Sequence, residues 1–398
     1  MEPAAWPIVD AHLDLAMNAL WYGRDLRKPV ESIREREASL ADYRGRLWLF
    51  PEAGRAAGTV SLPAMREGRV FIAFVTTLAR VGNETNGLEG YDGPEACYAS
   101  AQGQLAYYGL LESLGEARIL RTRADLHEHC RAWRAPWAPS ALSAPCGPFA
   151  PSAPPAPPAP PAPPAASEQP PLGFVLTMEG ADPILDPDQV PLWWQQGVRA
   201  VGLAHYGRSR YAHGTGTEGG LTALARPLLR AMAEAGLVLD LTHLADRAFW
   251  EALDAFPGRV WASHCNCRAL VPGQRQLADE QIRAVAERDG VIGVVLDAWM
   301  LQPGWRKGVY NEVRVDLRTV VDHIDHICQL TGSARHVGIG SDLDGGFGRE
   351  QAPRDLDTIA DLQRLPRLLQ ERGYRDEDIG AVMYGNWCRM LQAVLPGR

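Results

Sequence analysis

Short apolar runs alternate with longer amphipathic stretches along most of the chain. Eight runs are rich in β-branched and aromatic residues, and most are continuously apolar, as expected for parallel strands covered on both faces. They occupy residues 6–12, 69–77, 173–179, 198–205, 236–243, 259–264, 290–297 and 336–342. Helix-like stretches lie between them, for example 220–235 and 277–290, the latter with Asp279 placed to cap the helix and Gly290 placed to end it. Eight alternating β and α units predict a (β/α)8 barrel of the TIM type.

One segment interrupts this pattern. Residues 144–171 read APCGPFAPSAPPAPPAPPAPPAASEQPP, an Ala/Pro-rich composition that cannot form a packed core. The composition predicts polyproline II or disordered chain projecting from the surface. We interpret it as an insertion in a single barrel domain covering residues 1–398, because nothing else in the sequence indicates a proline-recognising partner.

Composition narrows the class of protein. The 398 residues carry 40 basic and 48 acidic side chains, a net charge of −8, and no basic cluster that would indicate nucleic-acid binding. The first residues lack the charged and apolar regions of a signal peptide, and no apolar run approaches the ~18 residues of a membrane span. Seven scattered cysteines, an odd number, argue against a disulfide framework. We therefore expect a cytoplasmic enzyme without a membrane or nucleic-acid partner.

Histidines and carboxylates follow the predicted strands at the points where they end. They are His12, Asp14, Glu179, His205, His243, His264 and Asp342. In a barrel the carboxyl ends of the strands form one rim, where active sites lie. Imidazole and carboxylate without thiolate suit zinc or a similar divalent ion. The two oxygens of Glu179 could bridge a pair of ions.

The remaining histidines and two cysteines give weaker signals. Cys265 and Cys267 offer a rival zinc site, but a single C-x-C without a second pair favours small residues that only follow the strand. Two pairs of histidines lie in helical stretches and are interpreted as surface residues: His127, His129, His323 and His326.

Several motifs together resemble one known family. They are VDAHLDL, MEGAD, LTH, SHCNCRALVPGQRQLAD, GIGSDLDGG and YGNWCRML. In order and strand placement they are similar to the membrane (renal) dipeptidases, zinc dipeptidases of the metal-dependent hydrolase superfamily. The resemblance covers nearly all of the chain outside the Ala/Pro-rich segment. It implies a (β/α)8 barrel with two zinc ions per chain.

The resemblance also implies the metal ligands. His12 and Asp14 match the H-x-D ligands of one zinc, and His243 and His264 match the ligands of the other. Glu179 matches the carboxylate that bridges both ions together with a water or hydroxide.

Three further residues match positions with roles in catalysis or substrate binding. Asp342 matches the aspartate expected to transfer the proton of the bridging water. His205 matches a histidine that contacts the substrate carbonyl or the developing oxyanion. Arg275 matches the arginine that holds the terminal carboxylate of the substrate. Asp344 is interpreted as a supporting residue that orients the loop or a ligand histidine.

Two loops depart from the family pattern and leave the substrate open. The segment after His205 lacks the expected asparagine and brings bulk and charge instead, with Tyr206, Arg208, Arg210 and Tyr211. The segment after the seventh strand has Asp297 and Trp299 where the family often has Asn-Phe. The sequence predicts a dinuclear zinc dipeptidase that acts on short peptides with a free C-terminal carboxylate, in a family that often forms homodimers. The alternatives are another amidohydrolase, acting on a lactam, an N-acyl amino acid or a cyclic amide, and a non-catalytic binding barrel.

Overall fold

The computed structural model describes residues 5–40, 53–82, 90–135, 170–307 and 312–397. These residues form nine strands: β1 (Ile8–Leu13), β2 (Val70–Leu78), β3 (Ala117–Ile119), β4 (Leu172–Glu179), β5 (Val198–Gly202), β6 (Val238–Asp240), β7 (Val260–Trp261), β8 (Ile292–Val294) and β9 (Val337–Ile339). Eight of them overlap the eight predicted runs, and β3 is additional. The predicted insertion, apart from Pro170 and Pro171, lies outside the described residues.

Eight of these strands, all except β3, form a parallel ring. The paired order is β7-β6-β5-β4-β2-β1-β9-β8. An isolated parallel bridge between Ala262 and Ile292, just after β7 and at the start of β8, joins the two ends. At this junction a Cβ on Gly293 would lie 1.9 Å from the backbone oxygen of Ser263. The close approach of these two backbone segments therefore requires glycine. The predicted (β/α)8 barrel is confirmed.

The additional strand lies outside this ring. β3 pairs with residues 172–174 of β4, whereas β5 pairs with residues 176–178 of the same strand. β2 pairs with β4 from Gly173 to Glu179 and therefore occupies the other edge. β3 thus extends the sheet beside the start of β4 without entering the barrel.

Helices connect the strands and cover the ring. The α-helices are α1 (Leu15–Leu20), α2 (Val30–Ser39), α3 (Leu62–Glu67), α4 (Pro94–Ser113), α5 (Arg123–Ala132), α6 (Val190–Gln195), α7 (Ala225–Ala235), α8 (Asp246–Ala255), α9 (Asp279–Glu287), α10 (Ala298–Leu301), α11 (Leu317–Thr331), α12 (Leu365–Glu371), α13 (Asp376–Gly380) and α14 (Asn386–Val394). Short 3₁₀ segments span Pro187–Gln189, Ala334–His336, Arg349–Gln351 and Ile359–Arg364, and a π-helical turn spans Ala381–Gly385. Among the described residues, no helix combines the length and apolar character that a membrane span requires.

Helix α7 shows how the amphipathic stretches produce this layer. Its buried residues Ala225, Leu228, Leu229 and Met232 recur at helical spacing and face inward. Gly236 ends the helix in a left-handed conformation with φ of 78°, where a side chain would be strained. The alternating sequence pattern therefore reflects a layer of helices packed on a buried sheet.

The start of α9 differs from the prediction. Asp279 is the first helical residue instead of the cap, and the side chain of Gln281 accepts the backbone N–H of Ala278 at 2.8 Å. The Asp279 carboxylate is instead 2.8 Å from Nε2 of His326 on α11. The contact between helices thus takes the carboxylate away from the backbone. The helix ends at Glu287 with Arg288 as its C-cap, before Gly290, whose backbone N–H donates to the oxygen of Val285 at 2.9 Å.

Two of the four histidines interpreted as surface residues are buried, and that interpretation is wrong for them. His129 on α5 stacks on the ring of Phe71, and its Nε2 donates to the backbone oxygen of Phe71 at 2.8 Å. His323 on α11 accepts the backbone N–H of Cys267 at Nδ1, over 3.1 Å. Both imidazoles satisfy backbone groups of the barrel, which explains their burial.

Candidate metal centre and cavity

The strand ends bring the predicted histidines and carboxylates together at one rim. His12 lies inside β1 and Asp14 directly follows it, so both side chains point to the same side of an extended segment. Glu179 is the last residue of β4. The remaining four each come three residues after a strand: His205, His243, His264 and Asp342. Because parallel strands end at the same edge, their C-terminal extensions converge.

Glu179 lies at the centre of this group. Its Oε1 is 3.2 Å from Nε2 of His243 and 3.3 Å from Nε2 of His264. Its Oε2 is 3.5 Å from Nε2 of His12, whose Nε2 is also 3.5 Å from Oδ2 of Asp14. The two oxygens of one carboxylate therefore face two different sets of side chains.

The donor atoms fit a metal site. Nε2 of His12 and Oδ1 of Asp14 are buried, and neither has a hydrogen-bond partner among the described residues. Such buried polar atoms are costly unless an ion or a hydrogen bond satisfies them. Three overlapping groups have ligand atoms within 4.8 Å of one another: His12, Glu179 and His264; Glu179, His205 and His243; and His12, Asp14 and Asp342. The groups share members, and none coincides with either ligand set that the family resemblance implies.

The carboxylates and imidazoles also shift one another's pKa. Burial acts to raise the pKa of Glu179, but the neighbouring imidazoles, above all the charge of His12, outweigh it and hold the pKa well below 4.5. Burial acts to lower the pKa of His12, but Glu179 and Asp14 outweigh it and raise the pKa well above 6.5. Burial, followed by the nearby carboxylates of Asp14 and Glu179, raises the pKa of Asp342 well above 3.8. The buried cluster thus concentrates negative charge that cations would stabilise.

Three other imidazoles are held neutral. Burial lowers the pKa of each well below 6.5: His205, His243 and His264. A neutral imidazole keeps one nitrogen lone pair, which a metal or a hydrogen-bond donor can use.

Asp344 anchors the loop that carries Asp342. Its carboxylate accepts the backbone N–H of Thr59 at 2.7 Å and that of Val60 at 3.1 Å, and Nη1 of Arg24 donates to it at 3.0 Å. Nδ2 of Asn18 donates to the backbone oxygens of both Asp344 and Asp14. These contacts tie the loop after β9 to the end of β1.

A cavity of about 600 Å³ opens over the cluster. Its wall includes Asp14, Glu179, His205, His243 and Asp342. Arg275 also lines it, although only 4% of this residue is exposed. Nη2 of Arg275 donates to the backbone oxygen of His264 at 3.0 Å, and its Nη1 contacts Sγ of Cys265 at 3.4 Å. The structure therefore places the predicted arginine at the cavity and next to a predicted metal ligand.

The two loops that depart from the family pattern contribute unequally to the cavity. Tyr206, Asp297 and Trp299 line it. Arg210 and Tyr211 instead donate hydrogen bonds to the backbone oxygen of Ile184, and Arg208 is exposed. The first loop thus brings one aromatic side chain to the cavity, and the second brings a carboxylate and an indole.

The cysteines after β7 serve other contacts. Sγ of Cys265 accepts from Arg275, and Sγ of Cys267 donates to the backbone oxygen of His323 at 3.5 Å. None of the potential metal groups formed by the described residues contains a cysteine.

Sequence reasoning missed Arg80, two residues after β2. Arg80 lines the cavity, and its Nη1 is 2.7 Å from Nδ1 of His205. A signal was present, because Arg80 follows a predicted strand as the histidines do. A guanidinium carries no lone pair for a metal ion, so a pattern of metal ligands does not include it.

Comparisons with protein families agree with the motifs. A sequence model of the membrane dipeptidase family, peptidase family M19, matches residues 165–395. An uncharacterised protein from the pqqA 5′ region of Klebsiella pneumoniae is 30% identical over 210 residues, which cover 51% of this chain and 74% of that protein. Dipeptidase 3 of Rattus norvegicus is 27% identical over 175 residues, 44% of this chain and 33% of that protein. The chain spans less than half the length of this second relative.

Solved structures share the fold at low sequence identity. The dipeptidase AC, a metallopeptidase, superposes with a TM-score of 0.71 at 21% identity over 99% of this chain and 100% of that one. A metallopeptidase from Rhodobacter sphaeroides, liganded with a phosphinate mimic of the dipeptide L-Ala-D-Ala, gives a TM-score of 0.70 at 20% identity over 98% and 99% of the two chains.

Proposed function

The chain belongs to the membrane dipeptidase family, peptidase family M19, and we propose that it is a dinuclear zinc dipeptidase acting on short peptides with a free C-terminal carboxylate. Membership of a metallopeptidase family makes it a hydrolase.

The arrangement around Glu179 carries the proposal. Its Oε2 faces His12 and its Oε1 faces His243 and His264, all within 3.5 Å. One carboxylate with separate nitrogen donors on each oxygen suits two ions that share a bridge. We assign one ion to His12, Asp14 and Glu179. We assign the other to Glu179, His243 and His264.

Asp342 and His205 have separate roles in the proposed reaction, proton transfer and charge stabilisation. When bound, the pair of ions would lower the pKa of a shared water enough to make it nucleophilic at neutral pH. Asp342, with Oδ1 3.7 Å from Nε2 of His12, is placed to take up a proton at the cluster and pass it to the leaving amine. His205 lines the cavity with its Nε2 3.7 Å from Oε1 of Glu179, and there it can contact the oxygen of the scissile amide.

Arg275 supports a substrate with a free carboxylate. Two of its N–H groups are taken by His264 and Cys265, while its buried Nε has no hydrogen-bond partner among the described residues. A guanidinium carries five N–H donors, so this side chain retains donors for an anion in the cavity. The Rhodobacter sphaeroides relative is liganded with a phosphinate mimic of L-Ala-D-Ala, a dipeptide whose second residue is a D-amino acid.

The test compares free dipeptides with the same dipeptides amidated at the C-terminus, using zinc-loaded enzyme. Both L-Ala-L-Ala and L-Ala-D-Ala are included, because the relative's ligand mimics the second. Free dipeptides should react faster. Arg275→Lys keeps the charge and loses the planar fork, so kcat/KM on free dipeptides should fall by about 10- to 100-fold while amidated dipeptides lose little.

Arg247→Lys is the matched control. Arg247 is exposed on α8 and pairs with Glu251 on the same helix, so this variant should leave the ratio of free to amidated turnover unchanged. Equal turnover of free and amidated dipeptides by the unmodified enzyme would overturn the carboxylate requirement.

A second candidate function is hydrolysis of N-acyl amino acids. Tyr206, Asp297 and Trp299 line the large cavity, and all three lie in the loops that differ from the family pattern. An N-acyl amino acid would keep the carboxylate contact with Arg275 but present no free amine. Faster turnover of N-acyl amino acids than of dipeptides would favour this function.

A further inference from the structure

The contact between Arg80 and His205 fixes how the imidazole is protonated. Nη1 of Arg80 lies 2.7 Å from Nδ1 of His205. A guanidinium has only N–H donors and no acceptor. Nδ1 must therefore be the acceptor and carry no proton, so the single proton of the neutral ring lies on Nε2.

This protonation state decides what His205 can do at the site. Its Nε2 points toward the cluster, 3.7 Å from Oε1 of Glu179. A protonated Nε2 has no lone pair for a metal ion, but it can donate a hydrogen bond. The position of His205 alone does not decide whether it is a metal ligand or a hydrogen-bond donor, since His205, Glu179 and His243 form one of the potential metal groups.

The contacts of the two neighbouring histidines permit the opposite tautomer. Nδ1 of His243 is 3.1 Å from Oγ1 of Thr215. The same hydroxyl donates a hydrogen bond to the backbone oxygen of His243 at 3.2 Å. The hydroxyl oxygen is thus free to accept an N–H from Nδ1. Nδ1 of His264 contacts Oγ of Ser263 at 2.8 Å. Hydroxyl partners allow Nδ1 to carry the proton and leave Nε2 with a lone pair for a metal.

We propose that Arg80 is a positioning residue that holds His205 as an Nε2–H donor toward the substrate carbonyl and excludes it from the metal ligands. The inference rests on the proposed function for the identity of the acceptor. The protonation state itself follows from the Arg80 contact and can be measured without substrate.

A carboxylate keeps the two side chains adjacent. Oδ2 of Asp182 accepts the backbone N–H of Val81, directly after Arg80, at 2.9 Å. Oδ1 of Asp182 accepts hydrogen bonds from the hydroxyl of Ser209 at 2.7 Å and from the backbone N–H of Arg210 at 2.9 Å. Both residues lie in the loop that follows His205. This buried residue therefore joins the two segments that carry the arginine and the histidine.

The protonation state is tested by NMR of the protein with ¹⁵N-labelled histidine, in zinc-free and zinc-loaded forms. The signals of His205 are assigned by their loss in His205→Gln. We expect a bare Nδ1 and a protonated Nε2 in both forms. Arg80→Met should move His205 to the other tautomer or to a mixture, whereas Arg80→Lys, which keeps a donor, should retain the original pattern.

Lys307→Met is the control for charge. Lys307 lines the same cavity and has an ion pair with Glu350 at 3.9 Å, so this variant removes a positive charge without touching His205. The His205 signals should stay in place.

Kinetics provide the second readout. Arg80→Met should lower kcat on free dipeptides by about 10- to 100-fold with little change in KM, less than the loss of about 10²–10³ for deleting an oxyanion donor outright. Arg80→Lys should recover most of this loss. A protonated Nδ1 in the unmodified enzyme, or an Arg80→Met variant with raised KM and an unchanged His205 pattern, would overturn the proposal. The second outcome would instead make Arg80 the carboxylate anchor. Because the NMR pattern needs no turnover, failure of the dipeptidase assignment would leave this test intact.

Discussion

Acidification should destabilise the barrel through two buried histidines that lie away from the metal cluster. Burial lowers the pKa of both His129 and His323 to about 4. His323 supports the site directly, because its Nδ1 accepts the backbone N–H of Cys267, three residues after His264. Protonation of Nδ1 would remove this acceptor and place a charge in a dry environment.

The direction follows from the two pKa values of each histidine. The folded value of about 4 lies below the unfolded value of 6.5, so the unfolded chain binds the proton more tightly. The stability that depends on the neutral ring is complete above about pH 6.5 and is lost as the pH falls toward 4. Each pH unit in this window changes the free energy of unfolding by about 1.4 kcal/mol per histidine. Between about pH 7.5 and about pH 5 each ring therefore loses about 2 kcal/mol, a large part of the 5–15 kcal/mol typical of a folded domain.

Urea unfolding of zinc-free protein at these two pH values measures the effect. His323→Asn keeps an acceptor for Cys267 and cannot ionise, so it should be less stable than the parent at about pH 7.5 because the ring is lost. On acidification this difference should shrink by about 2 kcal/mol. Ile324→Val, one residue further along the same buried helix, should cost about 1 kcal/mol at both pH values. If His323→Asn loses as much stability on acidification as the parent does, the reasoning about the buried imidazole is wrong.

Three further predictions concern the cluster. Glu179→Gln should reduce the zinc content below two ions per chain in elemental analysis, because a neutral amide is a poorer bridge, and a variant that retains both ions would contradict the bridge. Asp342→Asn should retain zinc but lower kcat by about 10²–10⁴-fold, since an amide cannot accept a proton; near-normal turnover would refute that role. Gly345→Ala would place a Cβ 2.0 Å from Oδ1 of Asp342 and should lower kcat by about 10- to 100-fold without loss of zinc. Gly109→Ala, where a Cβ meets nothing within 4 Å, should leave turnover unchanged.

The fold was predictable because its signal repeats. Eight apolar runs with helical stretches between them require burial on both faces, and few architectures provide it. The extra strand β3 was missed because Ala117–Ile119 is too short for a hydrophobic period and pairs only with the start of β4. Its pairing depends on a contact with a distant segment, which local sequence does not contain.

The positions of the site residues followed from the barrel, since parallel strands end at one rim. The two buried histidines were missed for a different reason. His129 lies three residues after the buried Leu126, and His323 lies three residues after the buried Val320, so each occupies the apolar face of its helix. Their positions on the helices, and not the polar residue type, account for their burial. The tautomer of His205 could not be inferred from sequence, because it depends on Arg80, 125 residues away.

The two aspartates of the GSDLDGG segment have different physical tasks. Asp342 and Asp344 both adopt left-handed backbone conformations, with φ of 57° and 62°, which cost about 1–2 kcal/mol for a residue with a side chain. The carboxylate of Asp344 holds the turn in place, because it accepts two backbone N–H groups and the guanidinium of Arg24. The carboxylate of Asp342 lies instead near His12, with Oδ1 3.7 Å from Nε2. Asp344 therefore fixes the turn, and the side chain of Asp342 is left available to the cluster.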